Sequence, residues 1–117
     1  MAVWSRIPLS GSTDGRPVAI SSTGSPGSTV HTAATATQVT DQVYLYAANT
    51  ATKDLLLTIE CGGTASADQV ILTIPTQDGH YKIIDGLLLK NSLIYRGFAT
   101  QSTGLAIAGY VNRASAT

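Results

Sequence analysis

Charge is scarce in this 117-residue chain: seven basic and seven acidic residues make up 12% and cancel, about half the usual share. Without a basic field there is nothing to gather phosphates, which excludes a nucleic-acid binder. An anionic membrane surface is excluded as a partner on the same ground. Cys61 is the only cysteine, so no intrachain disulfide forms and a disulfide-stapled secreted scaffold is excluded. Leu57 and Ile59 precede it at alternate positions, which predicts a buried thiol. His31 and His80 are the only histidines and have no zinc-ligand spacing. The aspartates Asp41, Asp54, Asp68, Asp78 and Asp85 are scattered as turn and strand-end residues are, without the clustering calcium needs. Glu60 is the only glutamate, so paired-carboxylate chemistry has no natural partner. There is no Gly-x-Ser-x-Gly elbow, and Gly62-Gly63 lacks a phosphate-loop lysine. The expectation is therefore a protein with no catalytic residues, no cofactor and no metal. No run approaches the ~20 apolar residues of a membrane span. Met1–Arg6 has neither the basic region nor the apolar run of a signal peptide, so the chain reads as intracellular at synthesis.

What remains is an apolar fraction of 44%, dispersed in short alternating runs. Gln42–Ala48 alternates aliphatic residues with tyrosine. Asp54–Cys61 puts Leu55, Leu57, Ile59 and Cys61 on one face, and Gln69–Ile74 does the same with Val70, Leu72 and Ile74 before Pro75. His80–Ile84 and Leu87–Leu89 flank Asp85-Gly86, a turn signal. Ser92–Phe98 and Gly104–Val111 follow, and shorter runs at 17–20 and 29–34 precede. Period-2 alternation bounded by turn residues predicts eight or nine strands and no helix. The fold class is all-β: a two-sheet β-sandwich, immunoglobulin-like or jelly-roll. The predicted core is Val43, Leu45, Leu55, Leu57, Ile59, Val70, Leu72, Ile74, Ile83, Leu87, Leu89, Leu93, Ile107 and Val111. Strand order does not follow from one sequence.

Residues 1–16 differ from the rest. Trp4, Ile7 and Leu9 are apolar, but Pro8 and the Ser10–Gly15 stretch forbid a helix or central strand. They read as an extended N-terminal arm with a turn near Asp14-Gly15, preceding a single sandwich domain at 17–117. The lone tryptophan marks the arm as an interface anchor. Tyr44 and Tyr46 share a strand face with no lysine or arginine on that strand, which suits a subunit interface better than stacked nucleotides. Candidate contact residues are Trp4, Arg6, Ile7, Leu9, Tyr44 and Tyr46. A surface this poor in charge suits close packing in an assembly.

Several segments together resemble a family of small virion proteins of tailed bacteriophages. They are Trp4–Pro17 (WSRIPLSGSTDGRP), Val43–Asn49 with Leu57–Gly63, Gly86–Asn91, and Gly109–Arg113 (GYVNR). The likeness covers most of the chain. It implies a head decoration, or cement, protein on the capsid exterior of the virion, synthesised in the host cytoplasm. It also implies the major capsid protein as partner, a cyclic homo-oligomer with a trimer favoured, and no catalytic residues. Two alternatives stay open: a neck, tail or fibre-base subunit, and a carbohydrate-binding sandwich that stacks sugars on Tyr44, Tyr46 or Trp4.

Overall fold

The computed structural model describes residues 2–116. It contains nine strands: β1 (Ala2–Pro8), β2 (Val18–Ala19), β3 (Ser28–Thr32), β4 (Val39–Asn49), β5 (Leu55–Cys61), β6 (Gln69–Ile74), β7 (His80–Leu89), β8 (Ile94–Ala99) and β9 (Leu105–Ala116). Among the described residues the only helical element is a 3-10 turn at Ser66–Asp68. Two antiparallel sheets pack together. In the first, β1 and β2 lie along one side of β9, and β4 and then β7 along the other; the second runs β3-β8-β5-β6. Among paired strands, only β5 and β6 are consecutive in the chain. Around that hairpin the pairs β4–β7, β3–β8 and β2–β9 nest outward. The chain is thus one long doubled ribbon, wound so that β4–β9 and β5–β8 close it into two sheets.

Side-chain alternation builds the core. The odd residues of β4, from Asp41 to Asn49, are buried, while the even residues between them are half-buried on the other face. Val43, Leu45, Leu55, Leu57, Ile59, Ile74, Leu89, Ile107 and Val111 are buried as the sequence predicts. Removing each such side chain from water contributes about 1.5–3 kcal/mol. Val70, Leu72 and Ile83 pack against this core while partly exposed. Leu9, Ile20, Val30, Ile84, Tyr95 and Leu105 join it without having been anticipated.

Two expectations are corrected. Asp85-Gly86 is not a turn: β7 runs straight through it as one strand. Its register against β4 shifts between Val43 and Tyr44 and again between Leu45 and Tyr46. Gly86 (φ +85°) and Ile83 are the extra residues, and Gly supplies the left-handed backbone such a bulge needs. Leu87 and Leu93 are not core residues; they are 53% and 48% exposed, Leu87 because it lies on an edge strand. Residues 2–8 are extended, as expected for this segment, and pair along β9 from Ala2↔Ala116 to Pro8↔Tyr110.

Candidate functional site

Two polar features and one open face stand out. The first is buried. His31 of β3 and Asp41 of β4 are both fully buried, and the His31 ring meets the Asp41 carboxylate at 2.7 Å from Nε2 to Oδ2. The backbone N–H of Ser10 donates to His31 Nδ1 at 3.0 Å. Nδ1 is therefore an acceptor, and Nε2 carries the proton that it donates to Asp41. Arg113 of β9 completes the group with Nε to Oδ1 at 2.7 Å and Nη2 to Oδ2 at 2.8 Å, a bidentate pair. Burial holds His31 below its ordinary pKa of 6.5, against the opposing pull of Asp41. Burial alone would raise Asp41; the Arg113 and His31 hydrogen bonds and charges outweigh it and hold the carboxyl below its ordinary 3.8. Both ring nitrogens are committed, so this histidine is no general base for a neighbouring hydroxyl. The group ties the N-terminal segment, β3, β4 and β9 together at one end of the two sheets.

Asn49, at the far end of β4, plays the matching part. Its side-chain amide donates to the carbonyls of Lys53 and Ile74, both at 2.9 Å, and its oxygen accepts from Ala51 N–H at 2.8 Å.

The open face is the outer side of the first sheet. It is formed by the even residues of β4 and β9 together with Trp4, Arg6 and Pro8 of β1, as the register requires. Tyr44 and Tyr110 are direct cross-strand partners and stack at 4.7 Å between centroids with planes 18° apart. The Arg6 guanidinium lies 5.0 Å from the Tyr110 centroid, and its Nε donates to Asn112 Oδ1 at 3.2 Å. On the other side of the stack Tyr44 covers Gly86, where a Cβ would lie 3.1 Å from its hydroxyl oxygen. Arg6, Tyr110, Tyr44 and Gly86 thus form one continuous row. Ala106, Ala108 and Ala114 leave the face flat beside it, and Trp4 and Leu88, 61% and 63% exposed, stand at its margins.

The outer side of the second sheet is partly covered instead. Glu60 points outward yet is fully buried. Ser25 Oγ donates to its Oε2 at 2.6 Å and Gly27 N–H to its Oε1 at 2.7 Å, so the 21–28 loop is pinned over that sheet.

The six candidate contact residues separate accordingly. Trp4, Arg6, Tyr44 and Tyr46 share the open face. Ile7 faces inward and is half-buried, and Leu9 is a core residue at 2% exposure, because the chain leaves β1 after Pro8 and turns in towards β3. Leu9 is unavailable to a partner in the folded chain. Tyr110 was missed as a site residue; its partnership with Tyr44 depends on a register that one sequence does not reveal. Cys61 is half-buried, and burial with Asp68 nearby pushes its thiol up to about 11, far from a reactive thiolate. A shallow open hollow of about 190 Å³ beside Gly11–Thr13 and Arg16–Ala19 is smaller than ordinary small-molecule sites.

Comparison with protein-family models, with curated proteins and with solved structures finds no match to this chain.

Proposed function

We propose that this chain is a capsid decoration protein of a tailed bacteriophage, folded as a jelly roll, which docks on the major capsid protein and stabilises the head. The observation that carries the reading is the outer face of the first sheet. It is flat, poor in charge, lined by alanines and a stacked tyrosine pair, and flanked by exposed Trp4 and Leu88. A patch of this kind on a small body marks a protein contact. The nested strand order supports the jelly-roll assignment, and that architecture recurs in capsid and lectin domains. The resemblance of the Trp4–Pro17 and Gly109–Arg113 segments to phage virion proteins selects the capsid over the lectin role. In this reading residues 1–16 grip the shell through β1, with Trp4 and Arg6 as contacts. Binding the assembled shell in preference to free subunits stabilises it by mass action.

The test is the copy number of the protein in purified virions, by quantitative mass spectrometry against the major capsid protein. A simple fraction of the capsid count, amounting to hundreds of copies, is expected. A few dozen copies or fewer reassigns the chain to the neck, tail or fibre base, and none removes it from the virion.

A further inference from the structure

The open edge of β1 has a property separate from the face beside it. Ile20 N–H bonds to Leu105 O at 2.9 Å on one side of β9, and Thr50 N–H bonds to Gly104 O at 2.8 Å on the other. Because β9 pairs without a register shift, its odd residues face β1 and β2. Val3, Ser5 and Ile7, opposite Ser115, Arg113 and Val111, therefore bond to β9. The N–H and C=O groups of Trp4 and Arg6 are left pointing away from the sheet. Pro8 falls in the same set and has no N–H to leave unpaired, as suits proline on an edge.

The other sheet edges carry protection that β1 lacks. Residues 10–11 cap β3: Gly11 N–H bonds to Val30 O at 2.9 Å, and Thr32 N–H to Ser10 Oγ at 2.7 Å. Strand β7 has two bulges and carries Lys82 and Asp85. Strand β6 is six residues long, between Asp68 and Pro75. Strand β1 pairs with no register shift and has one charge, Arg6. Val3 and Trp4 lie on opposite faces of it and are 53% and 61% exposed, so the start of this strand extends past the cover of the second sheet. Such an edge is a template for another strand.

The sequence of β1 specifies that strand. Around Ser5 it reads Val3-Trp4-Ser5-Arg6-Ile7, symmetric in chemistry. We infer that β1 pairs antiparallel with β1 of a second copy of this chain, about a two-fold axis at Ser5. This inference does not depend on the capsid reading. In that register Trp4 lies opposite Arg6 of the other copy, twice. Their free backbone groups form the hydrogen-bonded pairs, and their side chains meet on the outer face. The cation then lies between Tyr110 of its own chain and the other copy's tryptophan, a favourable geometry on both sides. Val3 lies opposite Ile7 on the other face. Moving the axis to Arg6 sets two like charges against each other, and moving it to Trp4 removes the cation–aromatic match. An isologous pairing of this kind closes at two copies and joins the two first sheets into one.

The full chain is tested first by light scattering coupled to size-exclusion chromatography, at on the order of 100 µM. Twice the 12.1 kDa chain mass is expected; a single-chain mass or a three-chain mass overturns the inference. The site is then tested with Ser5→Cys in a Cys61→Ser background. Directly opposed residues in a non-hydrogen-bonded pair lie about 4.5 Å apart between Cα atoms, within disulfide range. Mild oxidation is expected to give a covalent dimer with Ser5→Cys and none with Val3→Cys, whose copies lie too far apart. Equal cross-linking of both, or a dimer mass with no Ser5→Cys cross-link, overturns the register. Trp4→Ala, a change at an exposed side chain, is an independent probe: it should weaken self-association at least about tenfold in sedimentation equilibrium, and an unchanged constant overturns the role of this edge.

Discussion

His31 is neutral because its two partners ask for opposite things: Ser10 N–H needs a lone pair at Nδ1, and Asp41 needs a proton at Nε2. A second proton on the ring would set two donors against each other at Ser10. The folded-state pKa lies below 6.5, so as pH falls the unfolded chain takes up the proton first. The His31 contribution to stability is then constant above about pH 6.5 and declines below it. Asp41, also depressed, adds a further loss below its ordinary 3.8. Urea titrations between pH 8 and 4 should show this decline. In His31→Ala the first part of the slope should vanish, while stability at pH 7.5 falls by about 3 kcal/mol from an orphaned Ser10 N–H and a cavity. A His31→Ala slope equal to that of the parent between pH 6.5 and 5 would assign the acid sensitivity elsewhere. Arg113→Met should cost about 3 kcal/mol at pH 7.5, because it removes the cation from a buried carboxylate. It should also raise the His31 pKa, measurable by NMR titration, since the repulsion from Arg113 is gone and Asp41 is left with histidine alone.

Glycine shapes the first sheet at two points, one on each of its faces. At Gly109 a Cβ would fall 2.0 Å from the backbone oxygen of Tyr44, a contact that no side-chain movement relieves. At Gly86 the backbone is left-handed and a Cβ meets the movable end of Tyr44. Gly109→Ala should therefore leave little folded protein. Gly86→Ala should fold with a loss of about 2 kcal/mol and a weaker near-ultraviolet circular dichroism signal as Tyr44 tilts off Tyr110. Equal stability of the two variants would contradict this account. Strand β7 also shows where the sequence stops being legible. Alternation located β4, β5 and β6 to within three residues, because those strands pair regularly with one face buried. In β7 two bulges move the inward set to Tyr81, Ile84 and Leu87, a spacing of three, whereas period-2 alternation points to Ile83 and reads the Gly86 bulge as a turn. Of the candidate contacts, exposure of Trp4 and the shared face of Tyr44 and Tyr46 were readable locally. The burial of Leu9 and the partnership of Tyr110 were not, since both depend on which strand lies beside β9. That placement also alters the use of a truncation: removing residues 1–16 takes away Leu9 and Ser10 and should lower Tm by roughly 10 °C, so loss of binding in that deletion would not isolate β1.

The two outer faces of the molecule offer a partner different things. On the second sheet, the loop held by Glu60 occupies part of the surface, although Leu56 and Ile71 remain exposed at 43% and 56%. On the first sheet, the row from Arg6 to Gly86 and the small residues of β9 form a surface without a covering loop. With extents of 48 × 27 × 20 Å, the broad sheet faces offer the largest area toward the roughly 800 Å² per partner of a stable interface. The proposed capsid contact thus belongs to the first sheet, and one pair of substitutions tests the assignment. Leu88→Glu and Ile71→Glu each place a carboxylate at an exposed edge-strand position, and each should change folding stability by no more than about 0.5 kcal/mol. Measured on heads stripped of the protein, Leu88→Glu should weaken binding about tenfold or more, because a charge at a contact margin must be desolvated without a partner. Ile71→Glu should bind like the parent. The reverse result would turn the molecule over and make the second sheet the docking face. Equal binding by both would remove the broad faces from the contact and leave the strand edges and loop ends to hold the shell.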